Sequence, residues 1–188
     1  MKDLRTIPVA SRARRWCHGS MIKSPWTMLV AAAFVLALVT GEARAGCNDL
    51  PEPGVDWRTC DLTGVDYSGL EVFGANLRNA ALSSADLAAG DFREINGYRT
   101  RFVESILVDA LFDGALLTAA RFDRADLTGA SMRDVSARDA KFLFTNLRGV
   151  DFTGANLRDA DFTGADLSGA IWTDGERICA EGSSGLCR

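Results

Sequence analysis

Four cysteines, a recurring row of carboxylates and three evenly spaced cations are the side chains here whose types and spacing could do chemistry. Cys47 and Cys60 bracket twelve residues, and Cys179 and Cys187 bracket seven. Neither gap has the two-to-four-residue spacing of a zinc-ligand pair, so a Cys-ligated metal is the weaker reading and disulfides the stronger. Local pairing, Cys47–Cys60 and Cys179–Cys187, is the simplest of three connectivities. From residue 46 onward there is no His, the commonest general base and metal ligand. The same stretch holds no G-x-S-x-G elbow, no phosphate-binding loop and no G-x-G-x-x-G. The carboxylates recur at a fixed five-residue interval, which suits a solvated outer row better than a catalytic pair. The glycine-rich calcium nonapeptide of other β-rolls is absent, so those Asp residues do not read as a calcium array. These features predict a non-enzymatic chain with no cofactor.

Charge and hydropathy divide the chain in two. Lys23 precedes an apolar run, Met28–Val39, and Ala43-Arg44-Ala45 follows it. A basic segment, about a dozen apolar residues and an A-x-A triplet make the pattern of a secretory signal peptide cut after Ala45. The run is too short to span a bilayer, which takes about 20 residues, and Arg44 sits where a lipobox needs an aliphatic residue. Residues 1–20 read either as a long basic leader or as upstream of a start at Met21; Arg14-Arg15 lies far from the apolar run for twin-arginine export. Residues 1–45 hold seven basic and two acidic side chains, which leaves 14 and 23 in residues 46–188. The exported part is therefore acidic, with a net charge of −9 against −4 for the whole chain. Its four cysteines suit an oxidising compartment, which points to a periplasmic or secreted protein.

The residues after Cys60 repeat every five. Call the apolar centre of each unit i: centres fall at Leu62 and every fifth position through Trp172, 23 units of which 17 carry Leu or Phe. Position i−2 is small except at Leu70 and Ile95. Five residues advance 500° around an α-helix, which scatters the centres, and along one straight strand the centres would alternate between faces. The chain must instead turn once per unit, with i−2 and i inward and i−1, i+1 and i+2 outward. Four such turns close a square of 20 residues, and 23 units stack to roughly 28 Å at the usual strand spacing. Units such as Ala75-Asn76-Leu77 and Ala165-Asp166-Leu167-Ser168-Gly169 resemble the pentapeptide-repeat proteins. The resemblance, over about 60–172, implies an all-β, right-handed quadrilateral parallel β-helix of about five to six coils. The domain reading is an N-terminal cap over 46–60, repeats over 61–174 and a disulfide loop over 175–188.

A 20-residue coil sorts the centres into ladders. Phe102, Phe122, Phe142 and Phe162 share one face with Leu62 and Leu82; Leu87, Leu107, Leu127, Leu147 and Leu167 share the next. Another face alternates large and small, with gaps expected at Gly97 and Ala137 and Tyr98 as a candidate to fill the first. Outside, Arg101, Arg121 and Lys141 fall in one column, either neutralised by Glu104 and Asp123 or forming a strip for acidic envelope polymers or an acidic partner. Ile106, Leu111 and Leu116 stand at i−1, where Asp or Asn is usual. With Val103, Leu143 and Phe144 they predict an apolar belt for a weak homodimer or a partner protein. The leading functional expectation is a rigid interaction or structural module with an unidentified protein or envelope partner. The family resemblance supplies an alternative: some members, of the quinolone-resistance and gyrase-binding type, are acidic rods that imitate duplex DNA. Direct nucleic-acid binding is disfavoured, because an acidic chain repels phosphate.

Overall fold

The computed structural model describes residues 46–188; the expected extension, signal peptide and cleavage point after Ala45 lie outside them. From Asp56 to Ile171 the chain makes a parallel pairing at every fifth residue, each with the residue 20 positions further on: Asp56 with Asn76, Asp61 with Ala81, and so on to Asp151 with Ile171. Four pairings per circuit define four faces. Face one carries centres Leu62 to Phe162, face two Tyr67 to Leu167, face three Val72 to Trp172 and face four Trp57 to Leu157, each in steps of 20.

Trp57 is a correction. The sequence places it in the cap, but the structure makes it the first rung of face four, fully buried, with its backbone amide donating to the Asn76 carbonyl at 3.0 Å. Val55, two residues before it, is buried at the matching i−2 position. The register begins earlier still, for Gly54 donates to the Phe73 carbonyl at 2.8 Å and Val55 to that of Glu52 at 3.1 Å, and Cys60 is the buried i−2 residue of the Leu62 unit.

Except after Leu62, Leu82 and Met132, each unit ends in a turn closed by the N–H of residue i+3 on the carbonyl of the centre, as in Ala75 on Val72 at 3.0 Å and Ala130 on Leu127 at 2.9 Å. Position i+2 has positive φ in every unit from Thr59 to Gly169. Gly64 and Gly129 supply it without cost, but Arg99, Glu104, Arg124 and Phe144 hold it as well. A left-handed residue other than Gly costs about 1–2 kcal/mol. The strain is held because the same N–H bonds the next coil: Arg99 donates to the Thr118 carbonyl at 3.1 Å and Phe144 to that of Thr163 at 3.0 Å.

The interior is a single apolar column. Phe102, Phe122, Phe142 and Phe162 stack with centroids 4.9–5.1 Å apart and planes within 8° of parallel. Across the core they meet face three edge-on, as in Phe102 against Phe112 at 5.7 Å. Buried hydroxyls at i−2 are satisfied by the backbone: Thr100 Oγ1 donates to the Leu77 carbonyl at 2.6 Å and Thr145 Oγ1 to that of Phe122 at 2.7 Å.

The two oversized i−2 residues are each matched by a glycine. Ile95 fills space beside Gly97, where an added Cβ would lie 2.8 Å from Leu117 Cδ2 and 3.5 Å from Ile95 Cδ1. The expected gap at Gly97 is therefore already filled from within. Tyr98 does not fold into it; its ring lies against the guanidinium groups of Arg78 and Arg99 outside. Leu70 sits under Gly90, where a Cβ would meet Phe92 Cε2 at 2.6 Å and Leu70 Cδ2 at 3.0 Å.

Packing this close predicts coupling. Gly90→Ala should cost about 1–3 kcal/mol by overpacking, and Leu70→Ala about 2–5 kcal/mol by cavity formation. The double variant should lose less than the sum, because the smaller Leu70 side chain gives the new methyl group room. Urea unfolding of all four proteins checks this, and strict additivity would refute the contact.

Candidate interaction surface

The outer surface is built from positions i−1, i+1 and i+2 of each unit. At i−1 the Asp side chains close small loops over their own turns. Asp61 Oδ1 accepts from Thr63 Oγ1 at 2.6 Å and Thr63 N at 3.1 Å, and Asp161 and Asp166 do the same with Thr163 and Ser168. These hydroxyl and amide donors hold the Asp61, Asp161 and Asp166 carboxyls below their ordinary value. At Asp151 burial works against ionisation, but Thr153 and then Arg133 outweigh it and the net shift is again downward. The recurring Asp thus serves the turn, which is why it precedes Thr or Ser so often.

The three cations expected to form a strip do share a column, since Arg101 pairs with Arg121 and Arg121 with Lys141 along face one. They do not act alike. Arg121 is tied to Asp123 through Nε at 2.9 Å and through Nη2, and Lys141 reaches Asp161 at 3.4 Å. Glu104 pairs with Arg124 at 3.4 Å rather than with the column. Arg101 alone of the three makes no ion pair with a described residue.

The apolar set is also rearranged. Ile106, Leu111 and Leu116 all face outward, but they stand on faces two, three and four of one coil and form no flat patch. Val103 and Leu143 are half-buried, whereas Phe144 is 64% exposed and covers Gly164, whose Cβ position lies 2.5 Å from the ring. The structure joins Cys47 to Cys60 and Cys179 to Cys187, with Cα atoms 5.3 and 4.8 Å apart. After Trp172 the chain reverses, so that Ile178 pairs antiparallel with Ile171 and Ser184 with Asp166, over faces two and three.

Sorting all outward charges by face shows a division that the single column hid. Faces two and three carry twelve acidic and three basic side chains. Faces four and one carry nine basic and seven acidic. The Arg residues at i+1 appear interleaved with acids in the linear sequence. In space Arg58, Arg78, Arg138 and Arg158 stand in one corner column, with Tyr98 and Thr118 completing it. Within residues 55–172, the arginines without an ion pair to a described residue are Arg78, Arg99, Arg101 and Arg138, all on this one side. Arg78, Arg99 and Arg138 were not singled out as a group by the repeat; reading i+1 and i+2 at 20-residue intervals would have found them.

Residues 98–134 and 138–171 match the family model described as pentapeptide repeats, in eight copies. The chain carries pentapeptide repeats over these residues; the proteins of that family fold as right-handed quadrilateral β-helices and are in general structural or binding proteins. No curated protein matches it in sequence. Among solved structures it is similar to HetL, a pentapeptide repeat protein involved in heterocyst differentiation regulation from the cyanobacterium Nostoc, at 23% identity over 64% of this chain and 78% of that one, with a TM-score of 0.37. Full-length QnrB1, a plasmid-mediated fluoroquinolone resistance protein, is 20% identical over 65% of this chain and 79% of its own, with a TM-score of 0.38. Rfr23 from the cyanobacterium Cyanothece is 23% identical over 63% and 90%, with a TM-score of 0.25.

The turn-closing carboxylates make an acid-stability prediction. A carboxyl whose folded pKa is depressed adds stability above its unfolded value and loses it as pH falls through the folded one. Stability should therefore decline as pH drops below the ordinary carboxyl value of 3.8, where Asp61, Asp161 and Asp166 take up protons. Thr63→Val with Thr163→Val should raise the Asp61 and Asp161 pKa values and move acid unfolding to higher pH. Carboxyl-carbon NMR titration reads this directly; unshifted parent values would remove the explanation.

Proposed function

We propose that the chain is a non-enzymatic interaction or structural module that works outside the cytoplasm, a rigid rod of five to six coils presenting side chains on flat faces. The observation that carries this reading is the pair of disulfides that tie down the segments flanking the coils. Disulfides of this kind persist in oxidising compartments, and the signal-peptide pattern before Gly46 supports the same location. The outward carboxylates are engaged with their own turns or with neighbouring arginines, which suits a presenting surface more than a reaction centre.

A second reading, the acidic rod that imitates duplex DNA and binds gyrase or a related topoisomerase, is favoured by one observation: twelve acidic side chains gathered on faces two and three. Against it stand the basic side of the same rod and the proposed export.

Fractionation of cells expressing the full chain separates the two. The expected product is found outside the cytoplasm, begins at Gly46 and carries no free thiol by non-reducing mass spectrometry. A full-length, reduced, cytoplasmic product that inhibits gyrase supercoiling would replace the first reading with the second.

A further inference from the structure

We propose that face four and its corner with face one dock an acidic segment of a partner protein, one carrying three or four carboxylates around an apolar residue. This inference rests on the reading of the chain as an interaction module and names the surface and chemistry of its partner.

Four arginines on this side, Arg78, Arg99, Arg101 and Arg138, make no ion pair with any described residue, whereas Arg58, Arg93, Arg121, Arg124, Arg133, Arg148, Arg158 and Arg177 each have a carboxylate partner. A chain with an acidic excess leaves these four unneutralised and gathers them together. They span about three coils, roughly 14 Å along the rod.

Two of them are held in place. The Tyr98 ring has the Arg78 guanidinium 5.1 Å and the Arg99 guanidinium 5.0 Å from its centroid. Cation–π contacts of this kind fix the planar forks ahead of binding, and a fixed fork takes a carboxylate in two parallel hydrogen bonds.

The edge of the patch toward face three carries an apolar residue. Leu116 stacks on Asn96 one coil above the Tyr98 turn and is 52% exposed. An exposed aliphatic side chain on the same face as a tyrosine and several arginines has the composition of a protein–protein contact, in which Tyr and Arg are enriched.

The boundaries argue against a nucleic-acid duplex. Along the rod, Asp56 and Asp61 close one end of the patch and Asp159 and Asp161 the other; across it, the acidic faces three and two follow on either side. A stiff polyanion longer than the patch meets carboxylates in every direction. A short acidic peptide does not.

The probe is a fluorescein-labelled 12-residue peptide of Glu and Asp with one central Leu, titrated by anisotropy against the full chain. Saturable binding that weakens with salt is expected. Arg99→Ala and Arg101→Ala should each weaken it about three- to tenfold, and reversal of all four arginines to Glu should abolish it. Leu116→Ser should weaken it for the Leu peptide but not for the same peptide with Ser in that place. These side chains are outside the core, and a thermal melt of each variant verifies the fold. Absence of saturable binding, equal affinity for heparin or duplex DNA of matched charge, or indifference to the Arg changes overturns the proposal. A photo-crosslinker at Thr118 should capture a partner in cells. Capture only from Thr128 on face two would discard this surface and leave the interaction-module reading standing.

Discussion

The turn that closes every fifth residue is the constraint on which the rest of this structure depends. It takes positive φ at i+2, and the chain accepts that strain even at Arg124 and Phe144. No single turn would persist alone. Each is held by the coil above, whose carbonyls receive the N–H groups of both the centre and the strained residue. Order along the rod is thus collective: the turn makes the square, and stacking the squares makes the turn affordable.

Much of this was legible in the residues. The five-residue period excludes a helix and a straight strand by geometry alone, and the Phe and Leu ladders emerge once 20 residues are taken per coil. The start of the coil was less clear. Trp57 stands among Pro51, Pro53 and Gly54, residues that suggest irregular chain, yet its ring fits the column as well as any Leu. The corners were also harder to read than the centres. Glycine marks only some of them, because backbone bonding between coils lets Arg, Glu or Phe take the same conformation. Compensation across coils, such as Leu70 beneath Gly90, depends on which residue lies above which and on its volume. A repeat count does not carry that information.

The surface teaches the same lesson about dimension. Along the chain, Arg at i+1 alternates with Asp at i−1 and the charges look mixed. Wound into a square, those alternations fall onto different faces, and the average charge of an acidic chain conceals a basic side. Arg101, Arg121 and Lys141 form a true column, but Arg121 is bound to a carboxylate of its own turn and Lys141 to one of the next coil. The arginines left over lie around the corner. Their grouping comes from the winding and not from any local run of basic residues.

The reversal after Trp172 has a consequence of its own. A stack of parallel coils is an unending template: its last rung offers the same backbone groups as every rung beneath, and another copy could in principle continue it as a fibre. Here the final segment runs the opposite way over faces two and three, held to the last coil by backbone hydrogen bonds and closed on itself by Cys179–Cys187. An incoming coil needs all four sides of the square to be free and running in one direction. Two are taken by a strand of the wrong polarity, so the segment sets the length of the particle as well as covering its end.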